Sequence, residues 1–181
     1  MFDRNPVNIP MERGLKLSKF EDGQKEDPSF FKSLVESLKY LTCTRPDILY
    51  VVGVVSRFTE APTTTHMKVT KRILCYLKCT LDYGLFYSSS NDFKFFGFCD
   101  SDFAGDIDDR KSISGFIFFM GDCAFSWSSN KQPIVTLSTC DSEYVAAATC
   151  TYHAIWLRRL LDELHMPQKE ATDIYIDNKS A

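Results

Sequence analysis

The sequence has no long apolar run: nothing in it approaches the roughly 18 residues that a membrane-spanning helix needs. Nor does Met1-Phe2-Asp3-Arg4-Asn5-Pro6 open a signal peptide. Cysteines spaced Cys-x-x-Cys are missing, and with only His66, His153 and His165 as imidazoles there is no zinc-ligand constellation. Seven cysteines make an odd number, which without a secretory signal does not read as a disulfide framework. Cys75 and Cys79 share a helical face, and buried apolar thiols are the reading this favours. With 8 glycines and 7 prolines the chain is neither collagenous nor of low complexity. These absences lead to the expectation of a protein held in a reducing, intracellular space.

What is present suits a folded core. At 181 residues, 44% hydrophobic and 25% charged, the chain is long enough for one ordinary domain, or one domain plus a helical extension. The net charge of −3 conceals an asymmetry. Residues 1–90 carry 13 Lys and Arg against 10 Asp and Glu, whereas residues 91–181 carry 8 against 14, which suggests two functional parts. An acidic half argues against simple neutralisation of a nucleic-acid backbone, unless its carboxylates hold divalent cations that reverse the local sign.

Hydrophobic spacing supports the same division. Residues 1–28 have no sustained period and read as an irregular lead-in. Helical spacing then begins at Asp27-Pro28-Ser29, with Phe30, Leu34, Leu38 and Leu41 on one face, breaks at Thr44-Arg45-Pro46-Asp47, and gives way to an apolar run from Ile48 to Phe58. A third helix is expected over 66–78, with Val69, Ile73, Leu74 and Leu77 opposite Lys68, Lys71, Arg72 and Lys78. From spacing alone that basic stripe is a solvated face; the alternative is a track for phosphates.

After Asp82-Tyr83-Gly84 the period becomes that of strands: Leu85 to Tyr87, Lys94 to Asp100, Gly115 to Met120 and Ala124 to Ser128 form an expected antiparallel meander. Thr139-Cys140-Asp141 is expected to cap a long helix reaching Leu164, with Tyr144, Ala147, Ala148, Ile155, Leu160 and Leu164 among its apolar positions. Trp127 and Trp156 read as core anchors. A last strand, Ile174-Tyr175-Ile176, delivers Asp177. A long helix between two strands is a crossover, so the last strand is expected to lie parallel beside the first.

That topology singles out three carboxylates. Asp100 ends one strand, Asp177 ends its expected parallel neighbour, and Glu143 lies in the first turn of the crossover helix. Brought together they would form a hard-oxygen site for magnesium or manganese, since like charges so close need cations between them. Spacing alone leaves another reading open, in which Glu143 favours the helix dipole and Asp177 forms a turn.

The local words add to this. Phe98-Cys99-Asp100-Ser101-Asp102-Phe103-Ala104-Gly105-Asp106, Asp109-Arg110-Lys111-Ser112-Ile113-Ser114-Gly115, Ser126-Trp127-Ser128-Ser129-Asn130-Lys131-Gln132-Pro133, Ser142-Glu143-Tyr144-Val145-Ala146-Ala147 and Ile176-Asp177-Asn178-Lys179-Ser180-Ala181 resemble, in order, the ribonuclease H region of copia-type LTR-retrotransposon Pol polyproteins. Upstream, Tyr40 to Ile48, Ser56-Arg57-Phe58 and Lys71 to Lys78 resemble the segment that links this family's reverse transcriptase to its ribonuclease H.

The resemblance implies an α+β fold: a ribonuclease H-like mixed sheet in residues 91–181, truncated after its fourth strand, preceded in residues 1–90 by a three-helix connection. It implies an endonuclease that hydrolyses RNA in RNA–DNA hybrids, with two Mg²⁺ ions, or Mn²⁺, about 3.5–4 Å apart. Asp100, Glu143 and Asp177 would be three of its four metal carboxylates, with Asp100 bridging both ions. Thr139 and Asn178 would meet the minor groove and its 2′-hydroxyls. Arg110, Lys111 and Lys131, in expected loops, would meet phosphates. Helix cap, turn residue and solvated loop cation remain the alternatives for these five.

The family's fourth carboxylate lies downstream of Asp177, and no polymerase Tyr-x-Asp-Asp motif is present, so the expected partners include the rest of a Pol polyprotein as well as the hybrid, but no membrane. The implied location is the cytoplasm, in a virus-like particle, or the nucleus. The alternative function is a catalytically inactive, truncated relic with at most weak nucleic-acid binding.

Overall fold

The computed structural model describes residues 7–21, 23–87, 89 and 93–178. By its internal packing the chain divides into two compact units, Met1–Leu85 and Phe86–Ala181. No helix among the described residues is long and apolar enough to cross a membrane.

The first unit is helical. Asp27 accepts a hydrogen bond from the Ser29 N–H (2.9 Å) and Pro28 occupies the first turn, which together start α1 (Pro28–Leu41). Its buried face is Phe31, Val35 and Leu38, one residue on from the expected Phe30 and Leu34, and Phe30 is exposed. Position 31 supplies an aromatic at the same period, so spacing could not choose between the two faces. The apolar run that follows is not one helix. It is α2 (Leu49–Val55) between short 3₁₀ turns at Pro46–Ile48 and Ser56–Phe58. In α3 (Thr64–Cys79) the His66 ring is fully buried, stacks on Phe58 with centroids 4.0 Å apart, and accepts the Thr63 N–H at Nδ1 (3.0 Å). The described part of the lead-in is irregular as expected, and a bridge between Lys25 and Thr63 helps to pin it. Arg72, from the basic stripe, folds back onto it, pairing with Glu12.

The second unit is a four-stranded mixed sheet crossed by one long helix. Its strands are β1 (Phe95–Asp102), β2 (Ile113–Met120), β3 (Cys123–Lys131) and β4 (Asp173–Ile176), and the helix is α4 (Thr139–Glu163). The strand order is β3-β2-β1-β4; β1 pairs antiparallel with β2 and parallel with β4, with Cys99 opposite Ile176. The fold is therefore α+β with a mixed sheet, and the parallel pairing across a helical crossover is the one expected from the order of elements.

Four details differ from expectation. Leu85 to Tyr87 is not a strand: it pairs with none of the described strands, and Phe86 and Tyr87 are exposed. Ser138 rather than Thr139 caps α4, accepting the Asp141 N–H (3.1 Å). The buried face of α4 is Ala146, Cys150, Ala154, Leu157 and Leu161, while Tyr144, Ile155, Trp156, Leu160 and Leu164 are exposed. Small residues at 146, 150 and 154 let the helix lie close to the core residues Phe95, Cys99 and Phe118, which is why the larger apolar residues were misleading. Trp156 is 56% exposed, with its ring against His153, and Trp127 is half-buried on β3 opposite Ile117, so neither is a core anchor.

Candidate functional site

β1 and β4 run parallel, so their last residues leave the sheet at the same end, and the first turn of α4 reaches that end too. One carboxylate oxygen from each of Asp100, Glu143 and Asp177 lies within 4.8 Å of the others. Asp100 and Asp177 are exposed, whereas Glu143 is only 5% exposed. The structure thus brings together the three acids that the order of elements had placed at one end.

Glu143 is held asymmetrically. Its Oε1 accepts a hydrogen bond from the Ser101 hydroxyl (3.0 Å), while its buried Oε2 has no hydrogen-bond partner. A buried carboxylate oxygen without a partner is unfavourable by itself. Burial pushes the Glu143 carboxyl above its ordinary range, the Ser101 bond opposes this, and the neighbouring Asp100 and Asp177 add to the rise. Asp100 in turn accepts the Ser101 N–H at Oδ1 (2.7 Å).

The arrangement offers oxygen donors only, with converging negative charge and one unsatisfied buried oxygen. That donor set fits a hard divalent cation such as Mg²⁺ or Mn²⁺ better than it fits a zinc ion, which takes nitrogen and sulfur.

The other residues singled out from sequence lie around this end in different settings. Thr139 is exposed in the first turn of α4, beside the cluster in sequence, and Asn178 follows Asp177, half-buried. Arg110 is exposed in the β1–β2 loop, with a left-handed φ of 61°, and Lys111 is half-buried next to it. Lys131 is not in a loop: it is the last residue of β3, where its ammonium pairs with Asp106 and with Asp109. The serine at 101 was missed by reasoning from sequence, because a small polar residue beside an acid carries no signal of its partner. The one hint was that Ser101 falls where the strand alternation would place an inward-facing residue.

Comparison with known proteins gives the chain's relatives. It is 38% identical over 181 residues to the retrovirus-related Pol polyprotein from transposon RE1 of Arabidopsis thaliana, a match covering 100% of this chain. It is 42% identical over 188 aligned residues to the corresponding polyprotein from transposon TNT 1-94 of Nicotiana tabacum, again across 100% of the chain. The chain spans only 12% and 14% of those two proteins. It is also 41% identical over 128 residues to secreted RxLR effector protein 161 of Plasmopara viticola, covering 70% of this chain and 90% of that protein. No family model matches the chain. No solved structure matches it.

Proposed function

The chain belongs to the family of retrovirus-related Pol polyproteins from transposons, and from that premise we propose that its second unit is the ribonuclease H-type endonuclease module of a copia-type element, hydrolysing RNA in RNA–DNA hybrids during reverse transcription. The observation that carries this reading is the convergence of Asp100, Glu143 and Asp177 within 4.8 Å at the shared end of two parallel strands and a helix. Three carboxylates in that space repel one another, and Glu143 also keeps a buried oxygen unsatisfied, so the cluster suits cations rather than a purely structural role.

Asp100, Glu143 and Asp177 would hold two magnesium or manganese ions. When bound, such ions supply Lewis-acid activation of water and stabilise the departing 3′ oxygen. The chain's own groups set the rest. Asp100 and Asp177, both exposed, leave the cluster open to a phosphodiester approaching from solvent, while buried Glu143 closes its inner side. Thr139 and Asn178 flank the cluster in sequence, and in this reading their hydroxyl and amide hydrogen-bond 2′-hydroxyls, the groups that distinguish RNA from DNA. Exposed Arg110 would meet phosphate. The helical first unit would serve as a connection that helps to hold the duplex.

The test is cleavage of end-labelled RNA annealed to DNA, with Mg²⁺, by the sequence carried within a Pol polyprotein. Cuts inside the RNA strand that disappear in Asp100→Asn are the expected result, and equal cleavage by that variant overturns the reading. A second reading is a non-hydrolytic fold that retains weak nucleic-acid binding. The relative of which this chain covers 90% is named as a secreted effector and not as a polyprotein. Hybrid binding without RNA cleavage would select it.

A further inference from the structure

Ser101 touches two of the three carboxylates at once. Its N–H donates to Asp100 Oδ1 (2.7 Å) and its hydroxyl to Glu143 Oε1 (3.0 Å). The same hydroxyl lies 2.7 Å from the Ser142 hydroxyl, which is itself 2.7 Å from the Thr139 carbonyl. A serine hydroxyl has one proton. Ser142 gives its proton to the Thr139 carbonyl and Ser101 gives its own to the Glu143 carboxylate, both acceptors only, so the adjacent hydroxyls form a chain of contacts that runs from the first turn of α4 through Ser101 to Glu143.

This chain is anchored from below. Gln132, 2% exposed, donates through Nε2 to the Ser114 hydroxyl and to the Ser142 carbonyl, both at 2.9 Å. It thereby ties the first turn of α4 to β2. Ser142, Glu143, Gln132 and Ser114 are buried and Ser101 is half-buried, a setting in which losing one of these bonds is costly.

We propose that Ser101 is the positioning residue of the acidic cluster: its hydroxyl fixes the Glu143 carboxylate in one rotamer, occupying Oε1 so that Oε2 stays available for a divalent cation. The assignment rests on the proposed cation site. Partners that orient a metal-binding carboxylate typically matter for affinity about as much as this predicts, 10- to 100-fold. Ser101→Ala keeps the backbone bond to Asp100 and removes only the hydroxyl, which makes it a specific probe. Ser101→Thr keeps the hydroxyl.

Two measurements on the full 181-residue chain test this. In metal-free protein, NMR scalar couplings of the Glu143 side chain should report one fixed rotamer in the wild type and in Ser101→Thr, and an average of rotamers in Ser101→Ala. Titration with Mn²⁺, read from the electron paramagnetic resonance of the free ion, should show an affinity loss of about 10-fold or more in Ser101→Ala, with most of it regained in Ser101→Thr. Unchanged couplings in a folded Ser101→Ala overturn the proposal, as does unchanged Mn²⁺ affinity where Asp100→Asn loses it. Equal Mn²⁺ binding by the wild type and Asp100→Asn overturns the underlying cation-site reading instead, and the couplings then decide the role of Ser101 without it.

Discussion

Gly97 and Phe118 face each other across β1 and β2, and the phenyl ring fills the space that a side chain at 97 would need: an added Cβ would lie 2.6 Å from both Cδ1 and Cε1 of Phe118. Phe118 is fully buried and packs with Phe95 and Cys99 beneath α4, so it has no free volume into which to withdraw. Gly97→Ala should therefore destabilise the second unit by about 1–3 kcal/mol through overpacking. Urea unfolding followed by far-UV circular dichroism measures this, and an unchanged midpoint would show that the ring can move aside.

The ion pair between Lys131 and Asp106 ties the end of β3 to the loop after β1. Burial opposes the charge on Asp106, but the hydrogen bond from Lys131 and the N–H groups of Asp108 and Asp109 outweigh it and hold the carboxyl down at about 2. Because the folded value lies below the ordinary 3.8, this contribution is complete above pH 3.8 and is lost as pH falls towards 2. The difference corresponds to about 2 kcal/mol. Unfolding free energies measured from pH 6 down to pH 2 should fall less steeply in Asp106→Asn, which should start lower at neutral pH. Parallel curves for the two proteins would show that the pair contributes nothing.

In the first unit Arg45 forms a fork with Asp47, Nε to Oδ1 at 2.9 Å and Nη2 to Oδ2 at 2.7 Å, and its Nη1 donates to the Thr80 carbonyl (3.0 Å). The Tyr76 hydroxyl donates to the same Asp47 Oδ2 (2.8 Å). These bonds join the turn before α2 to the end of α3. An ammonium cannot reproduce the planar fork, so Arg45→Lys should be destabilising by about 1–3 kcal/mol, close to the effect of Arg45→Ala. A thermal melt in which lysine behaves as the wild type would mean that charge alone matters here.

The contrast between these contacts and the acidic cluster explains what sequence could convey. Asp100, Glu143 and Asp177 were legible because each sits close to the end or start of an element, two residues before the end of β1, in the first turn of α4 and just after β4, and the order strand, helix, strand fixes which ends coincide. The core face of α4 was not legible, since Ala146, Cys150 and Ala154 are smaller than Tyr144 or Ile155 and are buried for their size. Leu85 to Tyr87 carries strand-like residues, but a strand also needs a neighbour, and no periodicity reports one. Ser101 and Gln132 were silent for a related reason: their bonds to Glu143 and Ser142 cross between separate elements, and a serine or glutamine looks the same whether solvated or buried.

The seven thiols provide a check on the packing of both units. Cys43 and Cys79 are exposed, Cys123 and Cys140 partly so, and Cys75, Cys99 and Cys150 are buried, all of them free. Iodoacetamide in native buffer should label Cys43 and Cys79 first and leave the buried three unmodified until denaturant is added, as mass spectrometry of the peptides would report. The Cys150 thiol, hydrogen-bonded to the Cys99 thiol and buried, has its ionisation pushed upward and should be among the last to react. Early labelling of Cys150 would mean that α4 does not lie on the sheet as described.

Cations should change the stability of the second unit as well as its chemistry. Asp100, Glu143 and Asp177 repel one another in the metal-free fold, and that repulsion vanishes on unfolding, when the three separate. A cation that binds only the folded cluster should add about 1–3 kcal/mol at 10–100 times its dissociation constant. Mg²⁺ is thus expected to raise the melting temperature where KCl of equal ionic strength does not, and EDTA should reverse the effect. Asp100→Asn should act in the opposite sense: without cations it relieves repulsion and stabilises the fold by up to about 1 kcal/mol, while abolishing the response to Mg²⁺. This crossed pattern separates a cation site from a set of surface acids, because truncating an ordinary exposed acid would leave both melting temperatures almost where they were. A wild type that melts at the same temperature with and without Mg²⁺, alongside an Asp100→Asn variant that is no more stable, would remove the physical basis for assigning cations to this end of the sheet.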